Sequence, residues 1–109
     1  MSTEQRKVFR RLRKRVEVRY GIKEPEHTGY SGNISRSGMM IRAIRVFGHG
    51  TILVLDLKFP EKTYRVRGSV SWAREGTVQY LSTGRVGMGI KFIDPPADLL
   101  AMLESGGSL

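Results

Sequence analysis

The stretch Leu53-Val54-Leu55-Asp56-Leu57-Lys58-Phe59-Pro60, followed by Arg65-Val66-Arg67-Gly68-Ser69-Val70-Ser71-Trp72, decides the fold class. In the first segment Leu53, Leu55, Leu57 and Phe59 alternate with Val54, Asp56 and Lys58. In the second, Val66, Gly68, Val70 and Trp72 alternate with Arg65, Arg67, Ser69 and Ser71. Successive side chains of a strand point to opposite faces, so each segment reads as a half-buried strand with one apolar face. Phe59-Pro60 breaks the pattern between them. Trp72 could stack on a planar base, but its apolar strand position assigns it to the core by the same alternation.

The period of two extends outward in both directions. Arg15-Val16-Glu17-Val18-Arg19-Tyr20 places Val16, Val18 and Tyr20 on one face. His27 to Ser35 places Tyr30, Gly32 and Ile34 on one face, with Ser31, Asn33 and Ser35 on the other. Met39, Ile41 and Ala43 continue the inward series beyond Gly38, which leaves Met40 outside. Met88, Ile90 and Phe92 complete it, with Gly87 and Gly89 as close-packing or bulge positions. Several short strands separated by Gly-rich turns argue for an all-β domain, an antiparallel barrel or sandwich. Pro95-Pro96 stops the last strand, and Ala97 to Glu104 carries helix formers with Leu99, Leu100 and Leu103 on one side, predicting a short C-terminal helix.

A chain of 109 residues has room for one domain with one modest core. The formal charge of +9 concentrates anions around it, so phosphate-bearing partners are favoured. Much of that charge begins in Arg6, Lys7, Arg10, Arg11, Arg13, Lys14 and Arg15, opposed only by Glu4. Such a block repels itself and is expected to be a flexible arm unless an anion holds it. Cys is absent, which excludes a disulfide framework and thiolate metal sites and fits a cytoplasmic location. The N-terminus lacks the apolar segment of a secretory signal, and no run approaches the ~20 apolar residues that span a bilayer. No membrane insertion is expected.

Catalytic chemistry is hard to place. His27 and His49 sit in strand and loop segments outside any motif for nucleophilic catalysis, and the acids are scattered and mostly flanked by basic residues. Gly87-Met88-Gly89 lies within a strand pattern and lacks the helix that a phosphate loop needs. The reading is therefore a binding protein without catalytic residues, metal or cofactor.

The polar signal worth following is Asn33-x-Ser35-x-x-Gly38. Asn33 and Ser35 are two apart on a strand and face outward together, opposite Ile34, while Gly38 permits positive φ or close approach of a planar group to the backbone. Alone, such a hairpin usually serves side-chain-to-backbone hydrogen bonding. Upstream stands Gln5-Arg6-Lys7-Val8-Phe9-Arg10-Arg11. Together the two segments resemble the PilZ domain family, whose signature is Gln/Glu-Arg-Arg-x-x-x-Arg followed by Asp/Asn-x-Ser-x-x-Gly. The strands around Val18-Arg19-Tyr20, Gly68-Ser69-Val70-Ser71-Trp72 and Gly87-Met88-Gly89-Ile90-Lys91-Phe92 also look like that family's.

The resemblance implies a six-stranded antiparallel β-barrel with a C-terminal helix, and cyclic di-GMP as ligand. Carried over by motif, Arg6, Lys7 and Arg11 take phosphates and guanine edges, Asn33 and Ser35 hold base or phosphate from the barrel, and Gly38 shapes the turn. Arginine suits this ligand because its planar guanidinium pairs bidentately with guanine N7/O6 or phosphate and stacks on purines. Lys7 stands where Arg is commoner and cannot make that fork; Arg6 and Arg10 satisfy the same spacing as Lys7 and Arg11. Asn33 replaces the commoner Asp and offers one acceptor oxygen where a carboxylate offers two. Arg36, beside the turn, is added as a further candidate.

The expected organisation is a basic arm over 1–14, a barrel with its helix over 15–104 and a flexible tail over 105–109. The expected function is a receptor and adaptor that relays the cyclic di-GMP level to a protein partner in motility, exopolysaccharide production or secretion. Two alternatives stay open: a small β-barrel that binds nucleic acid without sequence preference, and a ligand-free interaction module that kept the fold. Few aromatic residues, mostly assigned inward, argue against the nucleic-acid binder.

Overall fold

Leu53, Leu55 and Leu57 are fully buried and Val54, Asp56 and Lys58 face outward, in a computed structural model that describes residues 15–76 and 86–105. The strands are β1 (Glu17–Gly21), β2 (His27–Ser35), β3 (Gly38–Arg42), β4 (Ile52–Lys58), β5 (Thr63–Arg74) and β6 (Gly87–Ile93), followed by helix α1 (Ala97–Glu104). They close into a barrel in the order β1-β2-β3-β6-β5-β4, every neighbouring pair antiparallel. Among the described residues, closure leaves no strand edge to template another chain.

The inward series is the core. Val16, Val18 and Tyr20, Met39, Ile41 and Ala43, Val66 and Val70, and Met88, Ile90 and Phe92 are all buried with the β4 leucines. Each large aliphatic side chain so buried contributes about 1.5–3 kcal/mol. Helix α1 adds Leu99 and Leu103 to the same core, while Leu100 is half-buried. Lys62 Nζ lies 2.7 Å from Asp98 Oδ2 and Arg36 Nη1 lies 3.1 Å from Glu104 Oε2, so α1 is tied to the β4–β5 and β2–β3 turns at one end of the barrel. Toward the other end, the Tyr20 hydroxyl donates to the Arg45 carbonyl and the Phe47 ring stands edge-on to Tyr20. Burial pushes the Tyr20 hydroxyl up to about 12, against the opposing charge of Arg45.

Two expectations fail, for one reason. The pairing of β2 with β3 slips between Ser31 and Ile34, a β-bulge that places one extra residue in β2. A slip of one residue exchanges the faces of the strand. Ile34 therefore points in and Asn33 out, as the alternation predicts, but Tyr30 is exposed and Ser31 is buried. The Ser31 hydroxyl accepts the Val16 N–H at 2.9 Å, and its own N–H donates to the Val16 carbonyl at 2.8 Å. A second slip, between Val70 and Trp72 in the pairing of β5 with β6, turns Trp72 outward to 41% exposure. Trp72 is not a core residue.

On the outer surface Arg19, Asp56 and Arg65 form a rung across β1, β4 and β5. Arg65 grips Asp56 with both arms of its fork, at 2.8 and 3.0 Å. That hydrogen bonding holds the Asp56 carboxyl below the usual carboxylate range, helped by the charges of Arg65, Lys58 and Arg19.

Candidate functional site

The β2–β3 hairpin turns on Arg36 and Ser37, with Ser35 paired to Gly38. Neither central residue takes a positive φ. The Ser35 hydroxyl sits 3.2 Å from the Ser37 hydroxyl and 3.5 Å from the Gly38 carbonyl oxygen, so it stiffens the turn while remaining partly exposed. Gly38 has an ordinary φ; its missing side chain answers to a close approach of the neighbouring β6 backbone. A methyl group there would overlap the Ile90 carbonyl oxygen of β6.

Beside this turn the outer face of β2, β3, β6 and β5 sinks into an open depression of about 370 Å³. Asn33, Ser35, Gly38 and Met40 form its hairpin side. Trp72 and Ser71 form the opposite side, and Gly89 and Lys91 lie between. The β5 bulge makes this possible: it aims Trp72 outward, opposite Gly89, and a methyl group on Gly89 would overlap the indole Nε1. The indole thus lies close over bare β6 backbone, and the Ser71 hydroxyl anchors the bulge by donating to the Gly89 carbonyl at 3.1 Å. Among the described residues no carboxylate lines the depression, and Lys91 lends it positive charge. An aromatic wall, an outward amide and hydroxyl, and positive charge suit a planar, hydrogen-bonding ligand that carries negative charge.

The sequence candidates distribute unevenly. Asn33, Ser35 and Gly38 come together as anticipated. Arg36 stands on the turn, but its guanidinium pairs with Glu104 outside the depression. Arg6, Lys7, Arg10 and Arg11 lie outside the described residues, as do residues 106–109 of the expected tail. The point at which the arm joins the barrel is described: the Arg15 guanidinium lies 4.6 Å above the Tyr30 ring, and Val16 is bonded to Ser31, just before the bulge that carries Asn33. Ser71, Met40 and Lys91 were not singled out by sequence reasoning as site residues, and for Trp72 the core was preferred over stacking on a base. Among the described residues there is no cluster of three or more potential metal ligands and no helix long and apolar enough to cross a membrane.

The family model for the PilZ domain matches residues 4–105. Among solved structures, the chain is similar to the Bacillus subtilis inhibitor of motility (MotI/DgrA), with a TM-score of 0.70 and 19% identity over 90% of this chain and 47% of that one. That likeness is one of fold, and the chain spans about half the length of that protein. No curated protein sequence matches.

Proposed function

The chain belongs to the PilZ domain family, and on that premise we propose that it is a receptor for cyclic di-GMP that acts as an adaptor rather than an enzyme. The observation that carries the reading is the depression where Asn33 and Ser35 face Trp72 across the glycine backbone of β6, beside the root of the arginine-rich arm. A guanine stacks on the Trp72 indole, and such a base contact is worth ~1–3 kcal/mol. The Asn33 amide offers both an acceptor for guanine N–H groups and donors for its acceptors, and the Ser35 hydroxyl supplies a second contact. Lys91 favours the phosphates.

The arm supplies the rest. Three residues, four Cα steps, lie between Arg11 and Arg15, so covalent geometry keeps Arg11 within roughly 14 Å of a residue already seated on Tyr30. From there Arg6 or Lys7, with Arg10 or Arg11, takes phosphate oxygens and guanine N7/O6 edges. The ligand bridges arm and barrel, and the bridged surface is what a partner recognises in a cytoplasmic motility, exopolysaccharide or secretion system. Arg36 joins the ligand only by leaving Glu104.

Calorimetric titration with cyclic di-GMP, with GMP as control, tests the reading. Saturable binding is expected for the parent, weakened at least about tenfold in Arg11→Ala, Ser35→Ala and Trp72→Ala, a loss of about 1.4 kcal/mol or more each. Absence of saturable heat from the parent at high ligand concentration contradicts it.

A further inference from the structure

We propose that Arg42 is a further ligand contact: it forms an anion subsite on the outer face of the barrel, one rung along from the Asn33–Trp72 depression, and holds a phosphate of the ligand. The inference rests on the receptor reading above and adds a residue to it.

The sheet register places the subsite. Met40 pairs with Gly89 and Ile41 with Met88, so the next outward position on β3, Arg42, stands beside Gly87. On its other side Arg42 pairs with Tyr30 of β2. Outward positions two residues apart along a strand are separated by about 6.6 Å, so a ligand whose base lies over Gly89 carries its sugar and phosphate toward this rung. Gly87, at φ +146°, gives the rung a floor without a side chain, and a methyl group there would overlap the Ile41 carbonyl oxygen. Beyond Tyr30, Arg15 at the root of the arm adds a second cation.

The Arg42 side chain is built as if for an acceptor. Its Nε is buried and has no hydrogen-bond partner. A buried donor left unmade is costly, and the charged fork of a guanidinium matches two oxygens of one phosphate. Arg19 provides the contrast, because its Nε is also buried without a partner. Arg19, however, faces Asp56 across the β1–β4 pairing, and its charge helps depress that carboxyl. Arg42 has Tyr30 and Gly87 as rung neighbours and no ion pair among the described residues. Two arginines share the same orphaned atom, and only one lacks a counter-charge and lies next to the depression.

The test joins calorimetry with nitrogen-15 spectra of the arginine Nε–H groups during titration with cyclic di-GMP. Arg42→Gln is expected to weaken binding at least tenfold. Arg42→Lys restores part of it, since charge returns without the fork, and Arg19→Gln stays within twofold of the parent. In the parent, which needs no substitution to fold, the Arg42 Nε–H resonance moves with saturation while that of Arg19 does not. Binding by the parent that Arg42→Gln retains within twofold, or an Arg42 resonance that ligand leaves in place, overturns the inference alone. No binding by the parent overturns the receptor reading and this inference with it.

Discussion

Trp72 and Gly89 show how a single missing side chain shapes the proposed binding surface. A methyl group at Gly89 meets a side chain that can swing away, whereas one at Gly38 meets the Ile90 carbonyl, which is backbone and cannot. Gly89→Ala should therefore keep the melting temperature near the parent's and weaken cyclic di-GMP by about tenfold through loss of the indole's position. Gly38→Ala should instead cost at least ~2 kcal/mol of stability in denaturant unfolding, by the strain of overpacking. Equal effects on stability would contradict this distinction. Asn33 and Ser35 could be placed outward from sequence because Ile34 between them is plainly apolar. Tyr30 and Trp72 could not, because each lies just beyond a bulge, and a bulge leaves no mark on the periodicity until pairing partners are known. The usable clue was Gly87-Met88-Gly89: two glycines in outward positions of a strand leave room for whatever the neighbouring strand turns toward them.

Tyr20 carries a testable pH dependence at the same scale. Its hydroxyl is held up to about 12 in the fold, above the ordinary tyrosine value of about 10. The stability contributed by the neutral hydroxyl is thus complete below pH ~10 and is lost as pH rises through the folded value. Tyr20→Phe should make the alkaline limb of the stability profile shallower, by up to one proton, as read by denaturant unfolding at successive pH values. An unchanged slope would place the alkaline loss elsewhere.

At the scale of elements, α1 is held by its apolar side, with its ion pairs as secondary ties. Leu103 is in the core, so Leu103→Ala should cost about 2–4 kcal/mol in denaturant unfolding. The Arg36–Glu104 pair is half-exposed on both sides, and Glu104→Gln should cost under ~1 kcal/mol. If Arg36 turns to the ligand, Glu104→Gln also tightens cyclic di-GMP, by up to about fivefold, because the competing carboxylate is gone. Weaker binding in that variant would remove Arg36 from the site. The helix was legible in full, since Pro95-Pro96 and the Leu99/Leu103 spacing mark it locally. The faces of β1, β3, β4 and β6 were legible for the same reason. The order in which strands close the barrel was not, because β3 pairs with β6 and β1 with β4, and no local pattern encodes a partner so far along the chain.

For the whole molecule, a closed barrel with a charge of +9 could attract any polyanion, so the proposed selectivity is assigned to the depression and its glycine-floored flank. A non-specific nucleic-acid binder would lose affinity steeply with salt and show no preference among nucleotides. Strand number and spacing left barrel and sandwich both open; closure was anticipated only through the resemblance to the PilZ family. Trp72 is the only tryptophan in the chain and lines the proposed site, so its fluorescence is expected to report ligand directly. The measurement to make is a titration of that fluorescence with cyclic di-GMP, alongside GMP and a random single-stranded oligonucleotide. The account predicts a saturable change with cyclic di-GMP that GMP does not reproduce at the same concentration and that Ser35→Ala weakens. An indole signal that stays flat with cyclic di-GMP, or that the oligonucleotide changes equally well, would contradict it.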